Sequence, residues 1–209
     1  MLFYIYILLF VLMILSIQKH SFIYWKGFLS IAFVVIAFLY AYMSHQLYLF
    51  WNMITGLLLC CLGDIFLASQ QKKHFIYGFI SFLIANMSFV FSFYHFQFMT
   101  IEEFFIPVFA VGLLICLSYF MHMNFHDLKR CVMLYTFVIA WAFSKSLCVY
   151  IAFSTRMFLY SLIGFGLYFL SDFVLVFYRF KESQYKDLLR KMNLLLYYLG
   201  MFMIAYSFS

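Results

Sequence analysis

The sequence predicts an all-α polytopic membrane protein with eight transmembrane helices, built as two parallel four-helix repeats. Three observations predict it. Hydrophobic residues fill 68% of the 209 positions and charged residues only 10%, against about 45–50% and about 25% in an average soluble domain. Polar breaks cut the chain into eight apolar runs, each near the roughly 17–25 residues that a helix needs to cross a bilayer core. The charges gather in short gaps between those runs. A soluble fold of this size would lack the polar groups to cover its surface. Soluble enzyme, disordered tail, secreted disulfide scaffold and nucleic-acid module are therefore poor readings.

The first run, about 2–18, has no basic segment ahead of it, because the first lysine is Lys19. No small-residue cleavage site follows, so the run reads as a retained span rather than a signal peptide. The second run, 24–43, has Lys26 near its start. The third, 47–69, carries Asp64, and the fourth, 75–97, carries Asn86 midway. The fifth covers 104–122. The sixth, 131–152, contains Lys145, which is expected to pair locally or snorkel to the headgroups. The seventh, 156–179, carries Asp172, and the eighth, 188–208, carries Tyr197 and Tyr198. These runs are too long and too unalternating for strands. Short breaks make neighbouring helices antiparallel. Together they form one transmembrane domain over 1–209, with pseudo-repeats of about 1–100 and 101–209.

The net charge of +6 follows topology rather than a nucleic-acid surface. The odd-numbered connections carry Lys19, Lys72, Lys73, Lys129, Arg130, Arg179, Lys181, Lys186, Arg190 and Lys191. The even-numbered ones carry Arg156 alone, and the fourth holds Glu102 and Glu103. The positive-inside rule then places both termini on the non-cytoplasmic side, in the inner membrane if the source is bacterial. The five cysteines all fall inside apolar runs, with an odd count and no CxxC pair. That is neither a disulfide framework nor a metal signature.

The third and seventh runs resemble each other. Gly56, Leu62, Asp64 and Leu67 match Gly164, Leu170, Asp172 and Leu175 at one constant offset, close to half the chain. A small residue precedes Asp in both, as Gly63-Asp64 and Ser171-Asp172. Parallel repeats about an axis along the membrane normal produce such a pattern.

Five of the seven acids fall at membrane borders or in connections; Asp64 and Asp172 do not. Each lies about two turns inside the basic residue that follows it, Lys72 or Arg179, in the cytoplasmic half. Buried ionisable residues in a membrane default to functional sites. Two carboxyls in a low dielectric are not readily both ionised, so a protonated acid with an ionised base is the expected state. Such a pair suits general acid–base hydrolysis. The plainer alternative is that each Asp hydrogen-bonds a neighbouring helix. Lys26 is placed to hold an ionised Asp or a lipid phosphate, or to snorkel. Asn86 is placed to orient a substrate or bridge helices. Tyr197 and Tyr198 lie away from the interfacial belt, where a buried hydroxyl needs a partner. His122 and His126, at i,i+4 beside Asp127, are weighed as a metal site. They sit at a span end, away from the depth of the aspartates, so no metal or other cofactor is called for.

At these residues the sequence resembles the YhhN-like family, which includes the animal lysoplasmalogenases. The family carries a Lys-Pro-Leu early in its second helix, where Lys26-Gly27-Phe28 stands here. Its Gly-Asp is matched by Gly63-Asp64 with Leu67, and its Gly-Phe by Gly78-Phe79. Its Ser-Asp and Arg-Phe are matched by Ser171-Asp172 and Arg179-Phe180, and its Tyr-Tyr by Tyr197-Tyr198. The chain departs where the family Pro is Gly27, the family His is Asn86 and a family Gln is Met201. Losing that His weighs against a His-based relay and leaves a two-aspartate mechanism standing.

The resemblance implies hydrolysis of the vinyl-ether bond of a lysoplasmalogen to a fatty aldehyde and a glycerophospho-ethanolamine or -choline. Asp64 and Asp172 are then the catalytic pair, with Lys26, Asn86, Arg179, Tyr197 and Tyr198 around the substrate. The partners are the lysophospholipid and membrane lipids. A proton-coupled transporter or lipid carrier, and a metal-dependent ceramidase-like hydrolase, are the competing expectations.

Overall fold

Among the described residues, which are 2–19, 21–69, 72–123, 125, 128–181 and 184–209, the computed structural model forms eight α-helices, with a 3-10 turn ahead of the fifth, and no strand. The helices are α1 (Leu2–Leu15), α2 (Phe22–Met43), α3 (Leu47–Ala68), α4 (Lys72–Phe93), α5 (Phe105–Phe120), α6 (Lys129–Phe153), α7 (Arg156–Phe180) and α8 (Lys186–Tyr206), with the 3-10 turn (Ile101–Phe104) leading into α5. Lipid offers backbone groups no hydrogen bonds, so long apolar runs close their own in helices. Seven of the eight are long and apolar enough to cross a membrane. The chain is an integral multi-pass membrane protein, and its outward side chains are apolar, as at Leu58, Ile80, Phe98 and Phe109.

Several helix ends differ from expectation by a few residues. The first span is predicted to reach residue 18, but α1 stops at Leu15. Its 14 residues reach about 21 Å, short of the bilayer core of about 30 Å. The chain tightens there into a turn. The Ser16 N–H donates to the carbonyls of both Leu12 and Met13, at 3.1 Å each, and the Ser16 hydroxyl donates to Met13 at 2.8 Å. α4 starts at Lys72 rather than 75 and ends at Phe93 rather than 97, because the basic residues before the apolar run continue the helix. α8 likewise begins at Lys186, with Asp187 in its first turn at the positive end of the helix dipole.

The helices cluster into two compact units. One comprises Met1–Ser92 with Ala205–Ser209, and the other Phe93–Ile204. In the first unit α2 packs against both α1 and α3. The α3–α4 seam is set by glycine. A methyl group at Gly56 would overlap the Phe89 ring, and one at Gly63 would lie 2.7 Å from the Phe82 ring. One at Gly78 would lie 3.1 Å from the Gly63 carbonyl oxygen.

In the second unit α6 packs against α5 and α7. A core of Leu114, Met123, Phe125, Val132 and Val176 closes one end. Ser154 takes a left-handed φ of 50° to end α6, and the Thr155 side chain caps α7 by accepting from the Phe158 N–H at 3.5 Å. The α7–α8 crossing is again a glycine contact, this time backbone to backbone. A methyl at Gly164 or Gly200 would lie 2.8 Å from the other's carbonyl oxygen. Close approach of this kind is how helices gain packing energy in lipid. Gly200→Val is therefore expected to lower stability by about 1–3 kcal/mol or more, read as a fall in thermal unfolding temperature in detergent. Gly112→Ala, at a position with nothing within 4 Å, is the matched control and is expected to be neutral.

Candidate active site

Asp64 sits on α3, in the first unit, and is 1% exposed. Its first oxygen, Oδ1, forms a salt bridge with Lys26 Nζ at 3.1 Å. Its second, Oδ2, accepts from the Ser30 hydroxyl at 2.7 Å. Lys26 and Ser30 are four residues apart on α2 and so share one face one turn apart. The same Ser30 oxygen lies 2.9 Å from the Lys26 carbonyl, so its single proton serves the carboxylate and the backbone in competition. Tyr6, buried on α1, lies within electrostatic reach of the Asp64 carboxylate. The sequence offered Lys26 three roles, and its ammonium is on Asp64, not at the surface.

Asp172 sits on α7, in the second unit, and is also buried. Its Oδ2 accepts from the Tyr135 hydroxyl of α6. The residue before it, Ser171, is clasped to α8. Asn193 Nδ2 donates to the Ser171 carbonyl and to its hydroxyl oxygen, both at 2.9 Å, and the Ser171 hydroxyl lies 3.2 Å from the Asn193 carbonyl. The turn of α7 that carries Asp172 is thereby fixed to α8.

The other expected site residues fall as follows. Asn86 is fully buried on α4, in the Asp64 unit, and its Nδ2 donates to the Phe82 carbonyl one turn back at 2.9 Å. Tyr197 and Tyr198 are buried on α8, in the Asp172 unit. The Tyr197 ring meets those of Tyr168 and Tyr198 edge-on at 5.5 and 4.9 Å. Arg179 is exposed in the last turn of α7. Three contributors were missed from sequence: Ser30, Tyr135 and Asn193. Ser30 had a usable signal in its spacing from Lys26. Tyr135 was one of 18 tyrosines with nothing to mark it.

A third acid is buried, against expectation. Glu103 was read as a connection charge, yet it is fully buried and salt-bridged to an equally buried Lys145 at 2.8 Å. Its other oxygen accepts from the Tyr94 hydroxyl at 2.6 Å and from the Trp141 indole N–H at 3.2 Å. Lys145 also donates to the Phe98 carbonyl at 2.8 Å and stands 4.5 Å over the Tyr94 ring. Burial, and after it the hydrogen bond and negative charge of Glu103, push the Tyr94 phenol well above its ordinary range. The cluster ties the segment from Tyr94 to Phe104 onto α6, and its donors and acceptors are used among themselves.

His126 and Asp127, from the histidine pair weighed as a metal site, lie outside the described residues. Among the described residues no three His, Cys, Asp or Glu side chains gather closely enough to hold a metal ion. Each aspartate offers a buried carboxylate oriented by donors from its own unit, which is equipment for moving a proton.

No curated protein and no solved structure matches the chain. The model of the YhhN family matches residues 21–208, which include both aspartates, Lys26 and the tyrosine pair, and the chain belongs to that family.

Proposed function

We propose that this protein hydrolyses the vinyl-ether bond of a lysoplasmalogen, releasing a fatty aldehyde and a glycerophospho-ethanolamine or -choline. The observation that carries the reading is the pair of oriented, buried carboxyls, Asp64 and Asp172, in a chain of the YhhN family. Buried acids in membrane spans are costly and are kept for function.

Asp172, in its protonated form, delivers H⁺ to the vinyl carbon that does not bear oxygen. The π electrons form the new C–H bond, and the other carbon becomes an oxocarbenium ion. Asp64, ion-paired to Lys26, acts as the carboxylate. It stabilises that cation and takes a proton from the water that adds to it. The resulting hemiacetal transfers its hydroxyl proton to the glycerol oxygen as the C–O bond breaks, and exchange with solvent restores the two carboxyls. Paired carboxylates accomplish comparable acetal chemistry in glycoside hydrolysis. The lipid enters from the cytoplasmic leaflet, the side to which the basic connections assign these acids, and the exposed Arg179 meets its phosphate.

The test is purified protein with lysoplasmalogen in deuterated water. The expected product is an aldehyde carrying one deuterium on the carbon next to the carbonyl, formed equally with and without chelator. Chelator-sensitive turnover would favour the metal-dependent hydrolase. Movement of lipid or protons across liposomes without aldehyde would favour a carrier.

A further inference from the structure

The seam between α7 and α8, within the second unit, keeps one antiparallel register along its length. The backbones meet at Gly164 and Gly200, where an added methyl would lie 2.8 Å from the other's carbonyl oxygen. Further along, the Tyr168 and Tyr197 rings stand 5.5 Å apart, and Asn193 holds Ser171 at 2.9 Å. Each step of three or four residues forward on α7 matches one backward on α8, so one stripe of each helix makes these contacts. The α8 stripe of Gly200, Tyr197 and Asn193 continues at the same spacing to Arg190 and Lys186. On α7, Arg179 shares a face with Asp172, two turns further on. Carried forward, the register sets Asp172 level with Asn193 and Arg179 level with Lys186. Both helices are unbroken through these residues, and 181–185 alone connect them, so their ends stay close. At about 3.6 residues per turn, Asp172, Arg179 and Arg190 fall on the same side of the seam.

We propose that Arg190 and Lys186 join Arg179 in a subsite for the phosphodiester of the lyso-lipid, and that this subsite sets the headgroup class of the substrate. The identity of that lipid rests on the hydrolase reading. The depths fit the ligand. Arg190 is one turn from Asn193 toward the basic end of the helices, about 4.5 Å beyond the level of Asp172, and Arg179 is about 10 Å beyond it. In a 1-alkenyl lyso-lipid the phosphorus lies across the glycerol from the vinyl ether, about 7 Å away when the chain is extended. With the vinyl carbon at Asp172, the phosphate falls between the levels of Arg190 and Arg179. Guanidinium forks bind phosphate oxygens in pairs, which an ammonium does not. Topology alone would be met by a basic residue on any outward face, as by the exposed Lys191. Arg190 is instead half-buried on the α7-facing stripe. Asp187, the acid of the first turn of α8, is exposed and lies off that stripe. A glycerol ether without phosphate has nothing to offer these cations.

The test reads binding, so it needs no turnover. The probes are a 1-alkyl lysophospholipid, an uncleavable ether, and the 1-alkylglycerol with the same tail, each titrated onto the purified protein in uncharged nanodiscs. Arg190→Gln and Arg179→Gln are each expected to weaken lysophospholipid binding by about 10- to 100-fold, as loss of a charged hydrogen bond does. Binding of the alkylglycerol should stay unchanged in both. Lys191→Gln, off the stripe, is the control and is expected to bind both lipids as the unmodified protein does. Equal losses for the two lipids, an equal loss in Lys191→Gln, or no loss in Arg190→Gln would overturn the proposal. Displacement of the lysophospholipid by inorganic phosphate at low millimolar concentration would mark a site for free phosphate and overturn the lipid assignment. If Arg190→Gln does not fold, Lys186→Gln, at an exposed position, decides: it is expected to lose at least about threefold for the lysophospholipid alone, and no loss there would overturn the subsite. Phosphate-dependent binding in protein that releases no aldehyde leaves the subsite standing and removes the hydrolase reading; aldehyde release with an unchanged KM in Arg190→Gln does the reverse.

Discussion

Asp64→Asn and Asp172→Asn are each expected to reduce aldehyde release by at least about 100-fold, the low end of what a positioned general acid or base contributes. The two losses have different structural consequences. Asparagine at 172 keeps the shape and still accepts from Tyr135, so that variant is expected to fold and bind lysophospholipid normally while failing in chemistry. Asparagine at 64 leaves the Lys26 ammonium buried without its carboxylate. Breaking a buried pair on one side costs about 3–5 kcal/mol, so a single Asp64 variant confounds folding with catalysis. The cleaner test is Lys26→Met with Asp64→Asn, which removes both charges and keeps an acceptor for Ser30. That double variant is expected to regain most of the lost stability and to remain inactive. A Lys26→Met single variant is expected to be the less stable partner of the pair. Aldehyde release within tenfold of the native rate in either aspartate variant, in protein shown to be folded, would rule out the two-aspartate mechanism.

Hydropathy legibly encodes what depends on position along the membrane normal, and hides what depends on rotation about a helix axis. The spans were readable because seven of them carry enough apolar length in one run. Where polar residues continue a helix, as at Lys72 and Lys186, the apolar run understates it, and at Ser16 a side chain ends a helix that hydropathy would extend. That Asp64 falls inside a span was legible, and its salt bridge was not, because Lys26 comes from another helix whose facing a single sequence does not give. Tyr135 was hidden for the same reason. Glu103 shows the limit most plainly. Two glutamates in a short gap read as topology, yet Glu102 and Glu103 part company in the 3-10 turn. Glu102 is exposed and Glu103 is buried against Lys145.

Glu103→Gln and Lys145→Met are each expected to lower stability by about 3–5 kcal/mol, more than any substitution at the exposed charges. Both side chains of this pair are 0% exposed, so neither finds water when its partner loses charge. In Glu103→Gln the ammonium keeps only the Phe98 carbonyl and the Tyr94 ring. In Lys145→Met the carboxylate keeps only the donors Tyr94 and Trp141. The double variant removes both charges, and its Gln oxygen still accepts from Tyr94 and Trp141. It is expected to recover most of the loss, because an apolar replacement of a buried ion pair is often neutral or better. The readout is a double-mutant cycle on unfolding in detergent, with single losses that fail to add. The Tyr94 phenol sets the alkaline limit of the cluster. Its affinity for the proton is raised in the folded state, so its contribution is complete below the ordinary phenol pKa of about 10 and is lost as pH climbs above it. Additive singles, or singles that cost less than about 1 kcal/mol, would show that the pair is reached by water and is no clasp. Aldehyde release well below the unfolding temperature should be unchanged in the double variant, since the cluster touches neither Asp64 nor Asp172 through any of these bonds.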